Sequence, residues 1–198
     1  MLTELAIVKE RLDILLSDTS HDDLLTRAIE AVSARFDREC NRTLARTVGA
    51  TQEFRAADTE AIARCYPIET VSKFELKTTE AEGWVEQTGV NYLVREACII
   101  SLILPLSFMP QTIAPQLARV TYTGGYVLPG TTPSAGQTAL PADLESAAVE
   151  QVAAWFQQRD KLGLLRYWPS GGIFLAFSQL PLLPQVVAII RPHERWSI

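Results

Sequence analysis

Apolar residues change their spacing along the chain, from helical periodicity to strand alternation and back to helical periodicity. In the first 44 residues they recur every three or four positions, as in helices that bury one face. A short first helix is predicted after Thr3, with Val8 and Leu15 on its apolar side, and a second helix is predicted over residues 22–44. The residues that the second helix should bury are Leu25, Ile29, Val32, Phe36 and Cys40.

Between residues 50 and 126 apolar and polar residues alternate, which is typical of strands with one buried face. The clearest strand is predicted over residues 117–123, where Val120 and Tyr122 lie on one side and polar residues lie on the other. Two consecutive glycines at 124–125 indicate a turn after this strand. Further strands are predicted at residues 73–77, 91–95 and 98–102.

A third helix is predicted over residues 141–161. Pro141 suits the first helical turn, because the N–H that proline lacks would have no partner there. Asp143 and Glu145 lie near the positive end of the helix dipole, and Lys161 lies near its negative end. The apolar stripe predicted for this helix consists of Leu144, Ala148, Val152, Trp155 and Phe156.

The order of these elements predicts an α+β protein, in which a helical N-terminal pair and a C-terminal helix bracket a small, mostly antiparallel β-sheet. A chain of 198 residues is long enough to bury one substantial core. We expect residues 1–163 to form the core domain. Residues 164–198 are expected to form an apolar C-terminal extension that acts as an interaction arm.

Between residues 164 and 190 the only charged residue is Arg166. Prolines and glycines divide this stretch into pieces that are too short to cross a bilayer. The stretch either folds back over the sheet or contacts another chain, since exposed apolar surfaces of this extent mark interfaces. The apolar residues that we expect at such an interface are Tyr167, Trp168, Ile173, Phe174, Phe177, Leu182, Leu183, Ile189 and Ile190.

Arg35, Arg38, Arg42 and Arg46 recur at spacings of three and four, so the predicted second helix would carry them on one side. One interpretation is a solvated face whose charges suit the C-terminal end of the helix dipole. The other interpretation is a face that contacts an acidic partner or a phosphate backbone. The sequence leaves both interpretations open.

The net charge of −5 argues against a dedicated nucleic-acid-binding protein, which would carry a basic surface. It is compatible with a surface that DNA passes without adhering. Cys40, Cys65 and Cys98 form no CxxC pair, so neither a zinc site nor a disulfide framework is predicted, and a reducing compartment is expected. Charged residues between Glu4 and Asp13 interrupt any apolar run, so no signal peptide is expected there.

The sequence contains no motif that indicates catalysis or cofactor binding. The two histidines, His21 and His193, lie beside no serine or cysteine in a known catalytic pattern, and no phosphate-binding loop is present. We therefore expect a protein that is not an enzyme and that needs no cofactor or metal. The rival hypothesis is a small enzyme or ligand-binding domain with a pocket between the sheet and the third helix, to which Tyr66, Tyr92 and Tyr122 contribute polar groups.

Four groups of short segments occur in an order typical of one protein family. They are VKERL (8–12), DDLL (22–25) and CNR (40–42); YPIETV (66–71), Trp84 and NYLV (91–94); VTYTGGY (120–126), LPADL (140–144) and WFQQRD (155–160); and LPQVV (183–187) with Arg191 and Pro192. In these segments the chain resembles the head–tail connector proteins, also called adaptor or head-completion proteins, of long-tailed bacteriophages and related prophages.

The resemblance implies a structural protein of the virion neck, assembled in the bacterial host cytoplasm and without contact to a membrane. Copies would form a ring, typically a dodecamer, beneath the portal protein after DNA packaging. The ring would extend the DNA channel and dock the next neck or tail-completion protein. In this setting the residues of the apolar extension would contact the portal or an adjacent subunit, and the arginines would face an acidic partner or passing DNA.

Overall fold

The computed structural model describes residues 1–103, 116–159 and 182–195. Helices near both ends of the chain bracket a small, mostly antiparallel sheet in the order of the sequence, so the predicted α+β class is confirmed. The predicted boundary at residue 163 lies outside the described residues. The division into a core domain and an interaction arm therefore stays a prediction.

The chain folds as two compact units. The helical unit consists of Met1–Cys40 and Leu140–Ile198, and the sheet unit consists of Asn41–Ala139. Among the described residues, no helix is both long and apolar enough to cross a membrane. The helices are α1 (Leu5–Arg11), α2 (Asp22–Glu39), α3 (Ala142–Gln157) and α4 (Pro184–Ile190), and a 3-10 turn (Arg191–His193) follows α4.

The apolar faces of α2 and α3 form the centre of the helical unit. As its periodicity predicts, α2 buries a row of residues spaced three and four apart, and such amphipathic packing supplies most of the stability of a helix in a protein. On α3, Leu144, Ala148 and Val152 are at most 1% exposed. The buried row of α2 and its C-cap consists of Leu25, Ile29, Val32, Phe36 and Cys40, as expected from the sequence.

The second helix ends earlier than predicted. It stops at Glu39, with Cys40 as its C-cap, instead of continuing to residue 44. Asn41 has a φ angle of 49°, in the left-handed region that asparagine tolerates better than most residues, and the helix cannot continue through it. Arg42 and Arg46 therefore follow the helix, and the prediction that all four arginines share one helix side is wrong.

The first and third helices also differ from the prediction at their ends. α1 ends at Arg11, so the prediction that Leu15 lies on its apolar side is wrong. The third helix ends at Gln157 instead of residue 161. It begins after Pro141, whose extended ψ angle of 134° places the proline at the N-cap, and the Pro141 carbonyl accepts N–H bonds from the first turn.

In its described residues, the sheet unit contains two antiparallel sheets and one short parallel pair of strands. The strand orders are β1-β7-β3-β4, β2-β6-β5 and β8-β9. The strands are β1 (Thr47–Arg55), β2 (Glu60–Ile62), β3 (Ile68–Lys77), β4 (Val85–Glu86), β5 (Asn91–Arg95), β6 (Ile99–Ile103), β7 (Leu117–Gly124), β8 (Tyr126–Val127) and β9 (Thr138–Ala139).

Strand β7 lies between β1 and β3 and confirms the strand predicted over residues 117–123. Its residues alternate between buried and partly exposed along its length, with Val120 and Tyr122 fully buried. These two side chains join Phe74 of β3 and Ile100 of β6 in one apolar cluster. The core of the sheet unit thus receives side chains from both antiparallel sheets.

Candidate interaction surface

The structure separates the four arginines that were predicted to form one face. Arg35 and Arg38 lie on α2 in the helical unit, whereas Arg42 and Arg46 belong to the sheet unit. Arg35 pairs with Glu39 at 3.3 Å, one helical turn away. Arg38 is exposed, and its guanidinium has no ion-pair partner within the described part of the chain. Of the four, Arg38 therefore has the most accessible positive charge.

Arg42 is part of the interior of the sheet unit and is only 1% exposed. Its guanidinium carbon lies 3.2 Å from the centroid of the Tyr66 ring and 5.2 Å from that of Tyr126. Its Nη2 donates a hydrogen bond to the Tyr66 carbonyl oxygen. Burial raises the pKa of the Tyr66 phenol, and the neighbouring Arg42 charge partly offsets that rise. In this position Arg42 stabilises the sheet unit, and its side chain is not accessible at the surface of the chain.

Arg46 forms a two-pronged ion pair with Glu69. Its Nε and Nη2 lie 2.7 Å and 2.9 Å from the two carboxylate oxygens, the geometry in which arginine recognises a carboxylate best. The hydrogen bond to Glu69 raises the pKa of Arg46. The charge of Arg46 is therefore paired with a carboxylate of its own unit. That the arginines face an acidic partner or passing DNA stays a prediction.

The segment VTYTGGY joins three parts of the sheet unit. The Tyr122 hydroxyl accepts backbone N–H bonds from Arg64 at 2.8 Å and Cys65 at 3.0 Å. Gly124 lies so close to an adjacent segment of the same chain that a Cβ there would meet the Cys65 carbonyl oxygen at 2.5 Å. Gly125 has a φ angle of 103°, which glycine adopts without strain. Gly124 is therefore required by the close approach of the Cys65 backbone, and Gly125 is required by its backbone conformation.

Segments that are distant in the sequence also meet around Tyr126, next to the glycine turn. Tyr126, directly after the two glycines, donates its N–H to Leu44 and packs beside Arg42, which in turn lies over Tyr66. Three of the segments that carry the family resemblance, at 40–42, 66–71 and 120–126, thus meet in the sheet unit. Sequence reasoning predicted the glycine turn but missed the buried arginine, because an arginine at helical spacing gives no sign that its helix has ended.

Glu75 is the buried acid of the sheet unit, with a side chain that is 6% exposed. Lys73 pairs with it at 2.8 Å, and Arg119 of the adjacent strand pairs with it at 2.8 Å. The hydrogen bond from Lys73 and the Arg119 guanidinium lower the pKa of this carboxyl group. Trp84 lies against Arg119, with 4.3 Å between the guanidinium carbon and the ring centroid. Lys73 also lies 3.6 Å from the Glu86 carboxylate, so both cations are paired with carboxylates of the same unit.

The three tyrosines of the rival ligand-binding hypothesis do not converge on one site. Tyr66 packs on Arg42 and Tyr122 is committed to backbone hydrogen bonds, as buried tyrosine groups usually are. Tyr92 lines a cavity of about 260 Å³ in the sheet unit. Among the described residues, no cluster of three or more histidine, cysteine or carboxylate side chains is arranged to hold a metal ion.

The helical unit exposes leucines in the loop between α1 and α2. Leu15 is 75% exposed and Leu16 is 67% exposed, and Leu24 on the first turns of α2 is also exposed. Single exposed leucines are ordinary, but two consecutive ones form an apolar patch on a polar loop. The aspartates at positions 13 and 18 are exposed beside them, so the loop is both apolar and acidic.

A buried lysine fixes the shape of this loop. Lys9 on α1 is 3% exposed, and its Nζ donates hydrogen bonds to the Asp18 carbonyl at 2.7 Å and the Leu16 carbonyl at 3.4 Å. The same ammonium group lies 2.5 Å from the Asp22 carboxylate. Lys9 thereby holds the start of α2 and the loop in one arrangement. Sequence reasoning missed this role, since lysine side chains normally lie in solvent.

Helix α4 packs within the helical unit. Leu182, Val186 and Ile190 recur every four residues and are 7%, 0% and 4% exposed. The Leu183 N–H donates to Gln151 on α3 at 2.8 Å. These contacts cover Leu182 and Ile190 by residues of their own chain, while Leu183 and Ile189 are half-buried. Tyr167, Trp168, Ile173, Phe174 and Phe177 lie outside the described residues, and the interface role of all nine residues stays a prediction.

No known family model matches this sequence, and no curated protein matches it. Several solved structures share its fold. One is a chain in the neck of an empty GTA particle computed with C6 symmetry; it is 15% identical, with a TM-score of 0.55, and the alignment covers 98% of this chain and 89% of that one.

Another is a chain in the virion of a native gene transfer agent (GTA) particle. It is 18% identical, with a TM-score of 0.53, and the alignment again covers 98% of this chain and 89% of that one. At these identities the comparison shows a common fold, which extends over nearly the whole chain.

Proposed function

We propose that this chain is a structural neck protein of a tailed phage, a prophage or a related particle, and acts there as a head–tail connector (adaptor). Copies associate side by side into a ring, a dodecamer in the virion, beneath the portal protein. The ring extends the DNA channel and docks the next neck or tail-completion protein. The proposal assigns the chain no catalytic activity and no cofactor.

The observation that carries the proposal is the shared fold with a chain from the neck of a GTA particle, over 98% of the present sequence. A fold alone does not define a function, because one fold serves many functions. The proposal therefore also rests on the resemblance of the sequence segments to connector proteins. Three of those segments meet around Arg42, so the resemblance follows a continuous part of the sheet unit and not scattered positions.

The distribution of charge supports the same function. The net charge is −5, and charged side chains of the sheet unit, such as Glu75 and Arg46, are paired within the chain. A channel wall of this kind would let DNA pass without adhering to it. The helical unit offers the exposed leucines and the exposed Arg38, which are features expected of a surface that contacts protein partners.

The proposal is tested in particles produced with and without the chain. We expect cells that lack it to accumulate DNA-filled heads and separate tails, and expression of the intact chain from a plasmid to restore complete particles. Gold-labelled antibodies against the chain should mark the head–tail junction of complete particles in electron micrographs. Complete, infectious or DNA-transferring particles in the absence of the chain would refute a neck function.

The interaction arm is tested without removing α4, because α4 packs within the helical unit. Phe174→Ser combined with Phe177→Ser should abolish attachment to portal-bearing heads while circular dichroism still reports the folded protein. The matched control is Gln185→Ser, which changes an exposed polar residue of α4. Unchanged attachment of the double variant would show that these residues do not contact the portal.

A further inference from the structure

We infer that the loop between α1 and α2 of one copy docks on the exposed face of α2 of a second copy. The loop, residues 12–18, is called the leucine tip, and the α2 face consists of Arg27, Ala31, Ala34 and Arg38. The inference rests on the proposed function and deepens it, because a ring of identical copies requires a contact between two different surfaces of the chain.

The leucine tip has the composition of a docking element. Leu15 and Leu16 are the two most exposed leucines in the described part of the chain, and both would leave water on contact with a partner. Asp13 and Asp18 are exposed on the same short loop. The partner surface should therefore be an apolar floor with positive charge at its edges.

The leucine tip is also pre-organised in a single copy of the chain. Lys9 is buried beneath it, where its ammonium group contacts two loop carbonyls and the Asp22 carboxylate. A buried ammonium group carries a desolvation penalty, which the two carbonyls and the Asp22 carboxylate offset here. Because the loop is already ordered, it loses little conformational freedom on binding, and this favours association.

The α2 face has the complementary character. Its residues follow one another at spacings of four, three and four, so they form one line along the helix, and all four are exposed. Arg27 and Arg38 lie at its ends and have no ion-pair partner among the described residues, while the two alanines leave a shallow apolar floor between them. Asp23 and Glu30 are exposed one helical turn from Arg27, so the positive charge of this face is strongest at Arg38.

Charge favours this face over a groove elsewhere on the helical unit. A groove of about 470 Å³ lies between α1 and α3, and its rim carries Glu10, Glu145 and Glu150. The single arginine of the groove, Arg11, is already paired with Glu150 at 2.7 Å. An acidic tip would be repelled there, whereas the two arginines of the α2 face attract it.

The contact is tested by cross-linking two variants of the full chain. One carries Ser17→Cys beside the leucines, and the other carries Ala34→Cys in the α2 face. With a short bis-maleimide, the mixture should give a cross-linked dimer in a yield about tenfold above either variant alone. The matched controls pair Ser17→Cys with Thr131→Cys in the sheet unit and with Glu10→Cys at the groove.

Two further variants show whether the predicted chemistry drives the contact. Leu15→Ser with Leu16→Ser in the tip, and Arg27→Glu with Arg38→Glu in the α2 face, should each lower the yield about tenfold while the protein stays folded. High salt should lower it as well, because exposed charges are screened. A yield no higher than that of the Thr131 control, or preferential cross-linking to Glu10→Cys, overturns the inference.

The cross-linking test of this contact and the labelling test of the proposed function can fail independently of each other. If antibodies mark the neck but no tip-to-face cross-link forms, this contact is wrong and the neck function stands. If the cross-link forms in solution but the chain is absent from particles, the copies associate as inferred and the neck function is wrong.

Discussion

Arg38 and Arg42 are four residues apart, yet they lie in opposite environments, because Arg38 is exposed and Arg42 is buried. Arg38 extends from α2 of the helical unit into solvent, whereas Arg42 is buried between two tyrosine rings of the sheet unit. The sheet unit pairs Arg42, Arg46 and Glu75 internally. The helical unit leaves Leu15, Leu16 and Arg38 exposed.

This difference separates residues that maintain the fold from residues that are available to partners. A buried charge that is hydrogen-bonded to its own chain cannot be removed without leaving its partners unsatisfied, so its loss destabilises the protein. An exposed charge contributes little to stability, and its loss affects association instead. We therefore expect variants of the sheet unit to lower stability and variants of the helical unit to lower assembly.

The largest effect is expected at Arg42. Arg42→Ala removes a buried side chain, leaves a cavity between Tyr66 and Tyr126, and takes away the donor to the Tyr66 carbonyl. It should lower the free energy of unfolding by about 3 kcal/mol or more. Arg38→Ala is the matched control and should change it by less than about 0.5 kcal/mol.

Urea unfolding followed by circular dichroism measures both values. Equal and small losses in the two variants would contradict the account that Arg42 is a structural residue and Arg38 is not.

A smaller effect is expected at Glu75, with a defined pH dependence. Its pKa in the folded protein is below the ordinary value of 4.5, so its ionised form stabilises the fold. This contribution is present above the ordinary value and is lost as the pH falls through the lowered pKa. Glu75→Gln should cost about 2 kcal/mol at pH 7 and progressively less in acid. A cost that is constant between pH 7 and pH 3 would exclude this explanation.

The smallest effect, with the opposite sign, is expected at Glu145 on α3. Burial and the nearby Glu4 raise its pKa above 4.5, and its Oε1 has no hydrogen-bond partner among the described residues. The ionised form is therefore penalised above the raised pKa, and the penalty disappears at lower pH. Glu145→Gln should stabilise the protein by about 0.5 kcal/mol at pH 7 and leave its stability unchanged at pH 4. Destabilisation at pH 7 would contradict the pKa direction.

The sequence predicted those parts of the fold that depend on local periodicity. The buried row of α2 and the alternation of β7 follow from spacing alone, because each residue's side of a helix or strand is set by its position. The α+β class follows from the order of these elements.

The sequence could not predict features that depend on where an element ends or on distant partners. The end of α2 depends on the left-handed Asn41, and this decides that Arg42 is buried and Arg38 is exposed. The burial of Lys9 depends on carbonyl groups of a loop whose course is not a local property. The Glu75 pair with Arg119 joins residues 44 positions apart. Such contacts become visible only when the chain has folded.

Hydrogen–deuterium exchange tests the central claim most directly, by comparing the free chain with the chain in purified particles. Assembly through the helical unit predicts new protection in peptides that cover residues 12–18 and 24–39, and unchanged exchange around Arg42, Tyr66 and Tyr122. Protection confined to the sheet unit, or identical exchange in both states, would contradict the account.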